Sequence, residues 1–187
     1  MSVKEVEATA KRRLLCIARE AIRTHLTTGE FLVHPPEDGK LGDVHATFVT
    51  LRNRTTRDLR GCRGEYRATR PLAQAVVHTA VAAATDDPRF PTLTIDELSQ
   101  THIEISVLTP MIPITPSEIE IGRHGLLLTN GGATGLFLPQ VPVEQEWSVD
   151  DYLRWLCRKA ALPDDAWSRN GAELFAFETD MWEEELA

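Results

Sequence analysis

The sequence predicts an α+β fold, a mainly antiparallel β-sheet flanked by α-helices. Long amphipathic helical stretches are mixed with at least two hairpin patterns, and no βαβ unit repeats along the chain. The clearest strand, residues 102–109, alternates apolar Ile103, Ile105 and Val107 with His102, Glu104 and Ser106, which predicts one buried and one more polar face.

In chain order, Ser2 and Glu5 form a capping box, and Val6, Ala10, Leu14, Ile17, Ala21 and Ile22 recur at helical spacing until Gly29 offers a stop. Residues 34–43, with Pro35, Pro36, Gly39 and Gly42, read as a loop. Segments 45–51 and 58–62 are β-prone and joined by a polar turn, so they form a hairpin with Arg60 and Cys62 on one face and Leu59 and Gly61 on the other. Pro71 opens a helix whose buried stripe runs from Leu72 to Ala83. Thr94 with Glu97 caps a short helix. Residues 126–129 and 135–138 flank Asn130-Gly131-Gly132, which suits a second hairpin turn; a phosphate-cradling loop would need a Walker Lys-Ser/Thr or GxGxxG spacing, and neither is present. Ser148 caps a helix with Asp150 and Asp151 in its first turn and Arg158 and Lys159 in its last, both favourable for the helix dipole. Residues 174–181 read as one closing strand.

The chain has 187 residues, 42% hydrophobic and 26% charged, as expected for one domain over 1–187 or for two lobes sharing one core. The first twenty residues carry Lys4, Lys11, Arg12 and Arg13 without an apolar signal segment, so the expectation is a cytoplasmic protein. Net charge is −8, which argues against a general nucleic-acid binder. Yet residues 52–70 hold seven arginines against Asp58 and Glu65, a strip suited to an anionic ligand, an acidic partner or RNA, or to pairing with the protein's own acids. Tyr66 is the only aromatic residue in that window, so base stacking has little to work with. From Glu173 onward there are six acids and no Lys or Arg.

Cys62 is the most suggestive single residue. Gly61 and Gly64 leave the backbone around it open, and Arg60 and Arg63 would stabilise a thiolate, although an isolated cysteine also serves as a small packed hydrophobe. Glu104 is a candidate proton acceptor or an ion-pair partner for Arg60. His45, His78, His102 and His124 are the candidate bases, and sequence places none of them beside Cys62. The three cysteines, Cys16, Cys62 and Cys157, form no disulfide or zinc spacing, and no HExxH exists, so neither a metal nor a cofactor is expected.

Leu59-Arg60-Gly61-Cys62-Arg63-Gly64 resembles the signature of the AMMECR domain family. The resemblance continues in order through Asp87-Pro88-Arg89-Phe90-Pro91, the strand from Ile103 to Thr109, residues 121–126, Leu138-Pro139-Gln140-Val141, Glu144 with Trp147, and residues 156–160. It covers most of the chain from about residue 10 to 180. It implies two unequal lobes with the Leu59–Gly64 segment near a cleft between them. It also implies Memo-like and radical-SAM partners, since the family's prokaryotic members are component A of the AmmeMemoRadiSam system. It adds Arg89 and His124 to Gly61, Arg63 and Gly64 as candidate binding residues beside the candidate catalytic set Cys62, Arg60 and Glu104. Two departures stand out: Arg63 replaces the usual aliphatic residue after the cysteine, and Ala161 replaces a frequent glycine, which makes a left-handed helix cap less expected there.

Three functions follow: a partner- or ligand-binding component acting through residues 59–64, a cysteine-dependent enzyme using Cys62 as nucleophile or redox thiol, and an RNA-binding module using the arginine strip.

Overall fold

Apolar residues spaced three and four apart bury one face of α1 (Ala8–Thr28), with Leu14, Ala18, Ala21 and Ile22 fully enclosed. The helix stops at Gly29, whose φ of 76° places it in the left-handed region and whose N–H donates to the His25 carbonyl. The computed structural model describes residues 7–32 and 41–185; the capping box at Ser2 and Glu5 and most of the 34–43 loop lie outside them.

The chain divides into two compact units, Met1–Leu108 with Asp180–Ala187, and Thr109–Thr179. In the first, a four-stranded sheet is ordered β2-β1-β3-β8, from β1 (Thr47–Asn53), β2 (Leu59–Glu65), β3 (Thr101–Leu108) and β8 (Thr179–Glu183). β1 pairs antiparallel with both β2 and β3. Val49, Leu51, Ile103, Ile105 and Val107 point from one face of this sheet into a core shared with α1 and α2 (Leu72–Thr85). α2 is rich in Ala and Val and buried almost all round, because it contacts α1 as well as strands β1 and β2. The short α3 (Ile95–Leu98) carries the Thr94–Glu97 capping box read from sequence.

The second unit has its own sheet, ordered β4-β7-β5-β6, from β4 (Ile112–Pro113), β5 (Gly125–Asn130), β6 (Ala133–Phe137) and β7 (Ala172–Phe177). α4 (Gln140–Glu144) and α5 (Val149–Lys159) follow the β5–β6 hairpin, and Tyr152, Leu153, Leu156 and Cys157 of α5 join Leu126, Leu128 and Ala176 in a second core. The Ser148–Asp151 capping box starts α5.

Three local expectations change. The closing strand is two strands: Ala176 belongs to the second core and Trp182 to the first, so the chain breaks at Glu178, where the Thr109 N–H donates to the Glu178 carbonyl and the Glu178 N–H donates to Thr109 Oγ1. The more polar face of β3 is fully enclosed, with His102, Glu104 and Ser106 all buried, because charged side chains cover it. Ala161 keeps the left-handed cap without glycine, at φ 57°, while the Leu162 and Ala161 N–H groups donate to the Cys157 and Arg158 carbonyls, the bond pair of a Schellman motif.

Candidate functional site

The first hairpin positions Cys62. The side chain of Asn53 accepts the N–H groups of Thr55 and Thr56, and Arg57 adopts a φ of 64°, so the turn is tight and the register is set. Thr50 of β1 then stands opposite Cys62 of β2 on one side and Glu104 of β3 on the other. The three residues form a row across one sheet face. A bulge between Leu51 and Arg52 leaves Arg60 out of the ladder, so the simple alternation that put Arg60 beside Cys62 is broken there.

The Thr50 hydroxyl donates to Cys62 Sγ at 3.3 Å, and the Cys62 N–H donates to Asp87 Oδ2 at 2.9 Å. Asp87, just beyond α2, is buried, whereas its partner Arg89 is half exposed. The Arg89 guanidinium donates Nε and Nη2 to the two Asp87 oxygens at 2.9 and 2.7 Å, and the Arg89 N–H adds a bond at 3.1 Å. These bonds hold the Asp87 carboxyl far below its ordinary range, and the carboxylate in turn raises Arg89; a negative charge on the Cys62 sulfur raises it further.

Glycine matters twice here. A Cβ at Gly61 would strike the Ala83 carbonyl oxygen of α2, and one at Gly64 would enter the Phe48 ring. Gly61 is thus what lets α2 lie against the strand that carries the thiol.

The remaining candidates lie elsewhere. Arg60 donates to both Glu97 oxygens at 3.2 Å and to the Pro91 carbonyl at 3.0 Å, with its guanidinium over the Phe90 ring. Glu104 lies two strands from Cys62, about 10 Å by strand spacing, and is held by Arg52 at 2.8 Å and Arg57 at 3.2 Å. Burial pushes the Glu104 carboxyl above its ordinary range, against the pull of Arg52. Arg63 is exposed on the edge strand, and its side chain makes no hydrogen bond or ion pair among the described residues. His124 belongs to the second unit, where its Nδ1 accepts the Glu120 N–H at 3.1 Å and its carbonyl accepts the Tyr152 hydroxyl at 3.2 Å. Among the described residues, the metal-ligating atoms that cluster are those of His102, Glu104 and Glu183.

Sequence reasoning missed Thr50 and Asp87 as site residues. Thr50 follows from the hairpin register once the turn is fixed at Asn53–Asp58. Asp87 has a weaker signal, an acid two residues before an arginine in a turn, and only the fold brings it to a residue 25 positions earlier.

The AMMECR1 family model matches residues 15–182. The chain belongs to the AMMECR1 family. Its relatives include Protein MK0488 of Methanopyrus kandleri, 41% identical over 180 residues that cover 92% of this chain and 87% of that protein. Protein MJ0810 of Methanocaldococcus jannaschii is 40% identical over 174 residues, covering 89% and 86%. The crystal structure of PH0010 from Pyrococcus horikoshii superposes with a TM-score of 0.88 at 37% identity, covering 92% of this chain and 90% of that one. The α+β architecture is therefore the AMMECR1 fold, and the family's biochemical activity is unassigned. No helix among the described residues is long and apolar enough to cross a membrane.

Proposed function

We propose that this AMMECR1 protein is a binding component that acts with Memo-like and radical-SAM partners through the Leu59–Gly64 segment. The observation that carries this reading is the state of the arginine strip. Arg52, Arg57, Arg60 and Arg70 are ion-paired to Glu104, Glu183, Glu97 and Glu65, whereas Arg63 stands exposed on the edge strand beside Gly64. Arg67 is exposed as well, but its guanidinium lies over the Tyr66 ring. An unpaired cation presented at a strand edge suits an acidic partner surface better than a polyanion, which needs many unpaired cations. The RNA reading has correspondingly less support. Capture of the purified partners by this protein tests the proposal: Arg63→Glu should weaken capture severalfold and high salt should weaken it further. Capture indifferent to both would refute it.

A cysteine-dependent reaction is the second reading, favoured by the Thr50 hydroxyl on Sγ and by Arg89 close enough to respond to the sulfur's charge. Iodoacetamide labelling resolved by peptide mass spectrometry separates the two. A reactive thiol requires Cys62 to label faster than buried Cys157, whose thiol is pushed up by burial, and Arg89→Ala to slow Cys62. An inert Cys62 leaves the binding reading alone.

A further inference from the structure

The polar face of the first sheet carries, two strands from Cys62, an arrangement that the candidate site does not use. His102 and Glu104 are two apart on β3 and so project from the same face. Glu183 reaches them from β8, the neighbouring strand. One ligating atom from each lies within 4.8 Å of the other two. His102 and Glu104 are buried, but the Glu183 side chain is 41% exposed, which leaves an approach from solvent. The place between the carboxylates is held by Arg57, whose Nη2 lies 3.2 Å from Glu104 Oε1 and 2.5 Å from Glu183 Oε2. His102 Nε2 meets that same Glu183 oxygen at 3.1 Å.

This ion-paired arrangement leaves polar groups unsatisfied. Arg57 Nη1 is buried without a hydrogen-bond partner among the described residues, so the guanidinium is incompletely satisfied where it sits, and His102 Nδ1, on the ring edge away from Glu183, is likewise unpartnered among them. Arg57 also holds a positive φ of 64° in the hairpin turn, and its side chain is 36% exposed. Because that side chain is part-exposed, the guanidinium can turn out to water while the backbone stays in place.

We propose that His102, Glu104 and Glu183 form a site for a first-row divalent cation of the Mn2+, Fe2+ or Zn2+ class, with Arg57 a displaceable internal cation that exchanges with the metal. One imidazole and two carboxylates are a mixed nitrogen and oxygen donor set of the kind these ions take, whereas Ca2+ prefers six to eight oxygens and Cu+ prefers sulfur. The two carboxylates balance the dication. Arg52, at 2.8 Å from Glu104 Oε1, then serves as the outer group that orients a ligand.

The test uses the full chain, free of any affinity tag and stripped with a chelator. Mn2+ is titrated by the electron paramagnetic resonance of the free ion, and Zn2+ by competition with a chromophoric chelator. One equivalent should bind. Arg57→Gly, which suits the turn's φ and removes the competing guanidinium, should bind at least about tenfold tighter, and His102→Gln and Glu183→Gln should each weaken binding by about tenfold or more. Cys62→Ser should change nothing, which distinguishes this site from adventitious thiol binding. Thermal melts check folding, and bound metal should raise the Tm of Arg57→Gly. If His102→Gln does not fold, the exposed Glu183→Gln decides. The proposal is overturned if neither the wild type nor Arg57→Gly binds one equivalent, if binding survives Glu183→Gln, or if it is lost with Cys62→Ser.

Discussion

Asp87 is the residue on which the thiol site stands, and truncating it has a calculable cost. Its buried carboxylate accepts two backbone N–H groups, from Cys62 and Arg89, and two guanidinium N–H groups. Hydrogen bonds to a charged acceptor contribute about 1.5–3 kcal/mol each, but they do not add fully, and half-exposed Arg89 regains water when its partner is lost. Asp87→Ala should therefore cost about 3 kcal/mol, mostly from the stranded Cys62 N–H, which is roughly 6 to 12 °C of Tm for a chain of this size. Asp87→Asn keeps an acceptor for Cys62 and should cost about half as much. The sign with pH is fixed by the direction of the shift. Asp87 titrates below its ordinary 3.8, so its contribution is complete above that value and is lost as the pH falls through it. In that acid range the unfolded chain carries one proton that the folded chain lacks, and stability drops by up to about 1.4 kcal/mol per pH unit. Urea denaturation of the wild type, Asp87→Asn and Asp87→Ala from pH 7 to about 2.5 measures this, with shallower acid slopes expected for both variants. A loss under about 0.5 kcal/mol for Asp87→Ala, or slopes equal to that of the wild type, would refute the argument.

Other outcomes follow from the same geometry. Ala161→Gly should stabilise the second unit by about 0.5–1 kcal/mol, since the left-handed φ costs an L-residue about 1–2 kcal/mol and glycine gives part of that back as unfolded-chain entropy; a lower Tm would contradict it. Gly61→Ala should cost about 2 kcal/mol or more because its methyl meets backbone, while Gly64→Ala should cost less because it meets the partly exposed Phe48 ring, which can shift. Equal losses in denaturant titrations would show that the two approaches are not as described. Glu97→Gln should weaken the hold on Arg60, raising the salt sensitivity of partner capture at a stability cost of no more than about 1 kcal/mol, as expected for a part-exposed ion pair.

What was legible in the sequence was what is decided locally. The Thr94 and Ser148 capping boxes, the Gly29 stop, both hairpins and the alternation of β3 rest on residues within a few positions of one another. The family blocks were equally readable. The thiol's surroundings were not, because Asp87 reaches Cys62 only after α2 has packed against β1 and β2. Arg60 misled for a related reason: a bulge cannot be read from alternation, and it turned the guanidinium to Glu97. His102 and Glu104 look solvent-facing in sequence because the residues that cover them, Arg57 and Glu183, come from a turn and from the far end of the chain.

That far end has a consequence for how the molecule is made. The second unit is one continuous stretch, whereas the first is interrupted by it and completed by β8. On a ribosome, α1, α2 and β1 to β3 emerge early, yet Arg19 waits for Glu184, Lys11 for Asp180, and His102 for Glu183. Until β8 has been synthesised, β3 keeps an open edge and the indole of Trp182 is missing from the core. Synthesis order thus hands the nascent chain an unfinished sheet, exposed for as long as it takes to translate some seventy residues, and the second unit is the first that can close entirely from its own sequence.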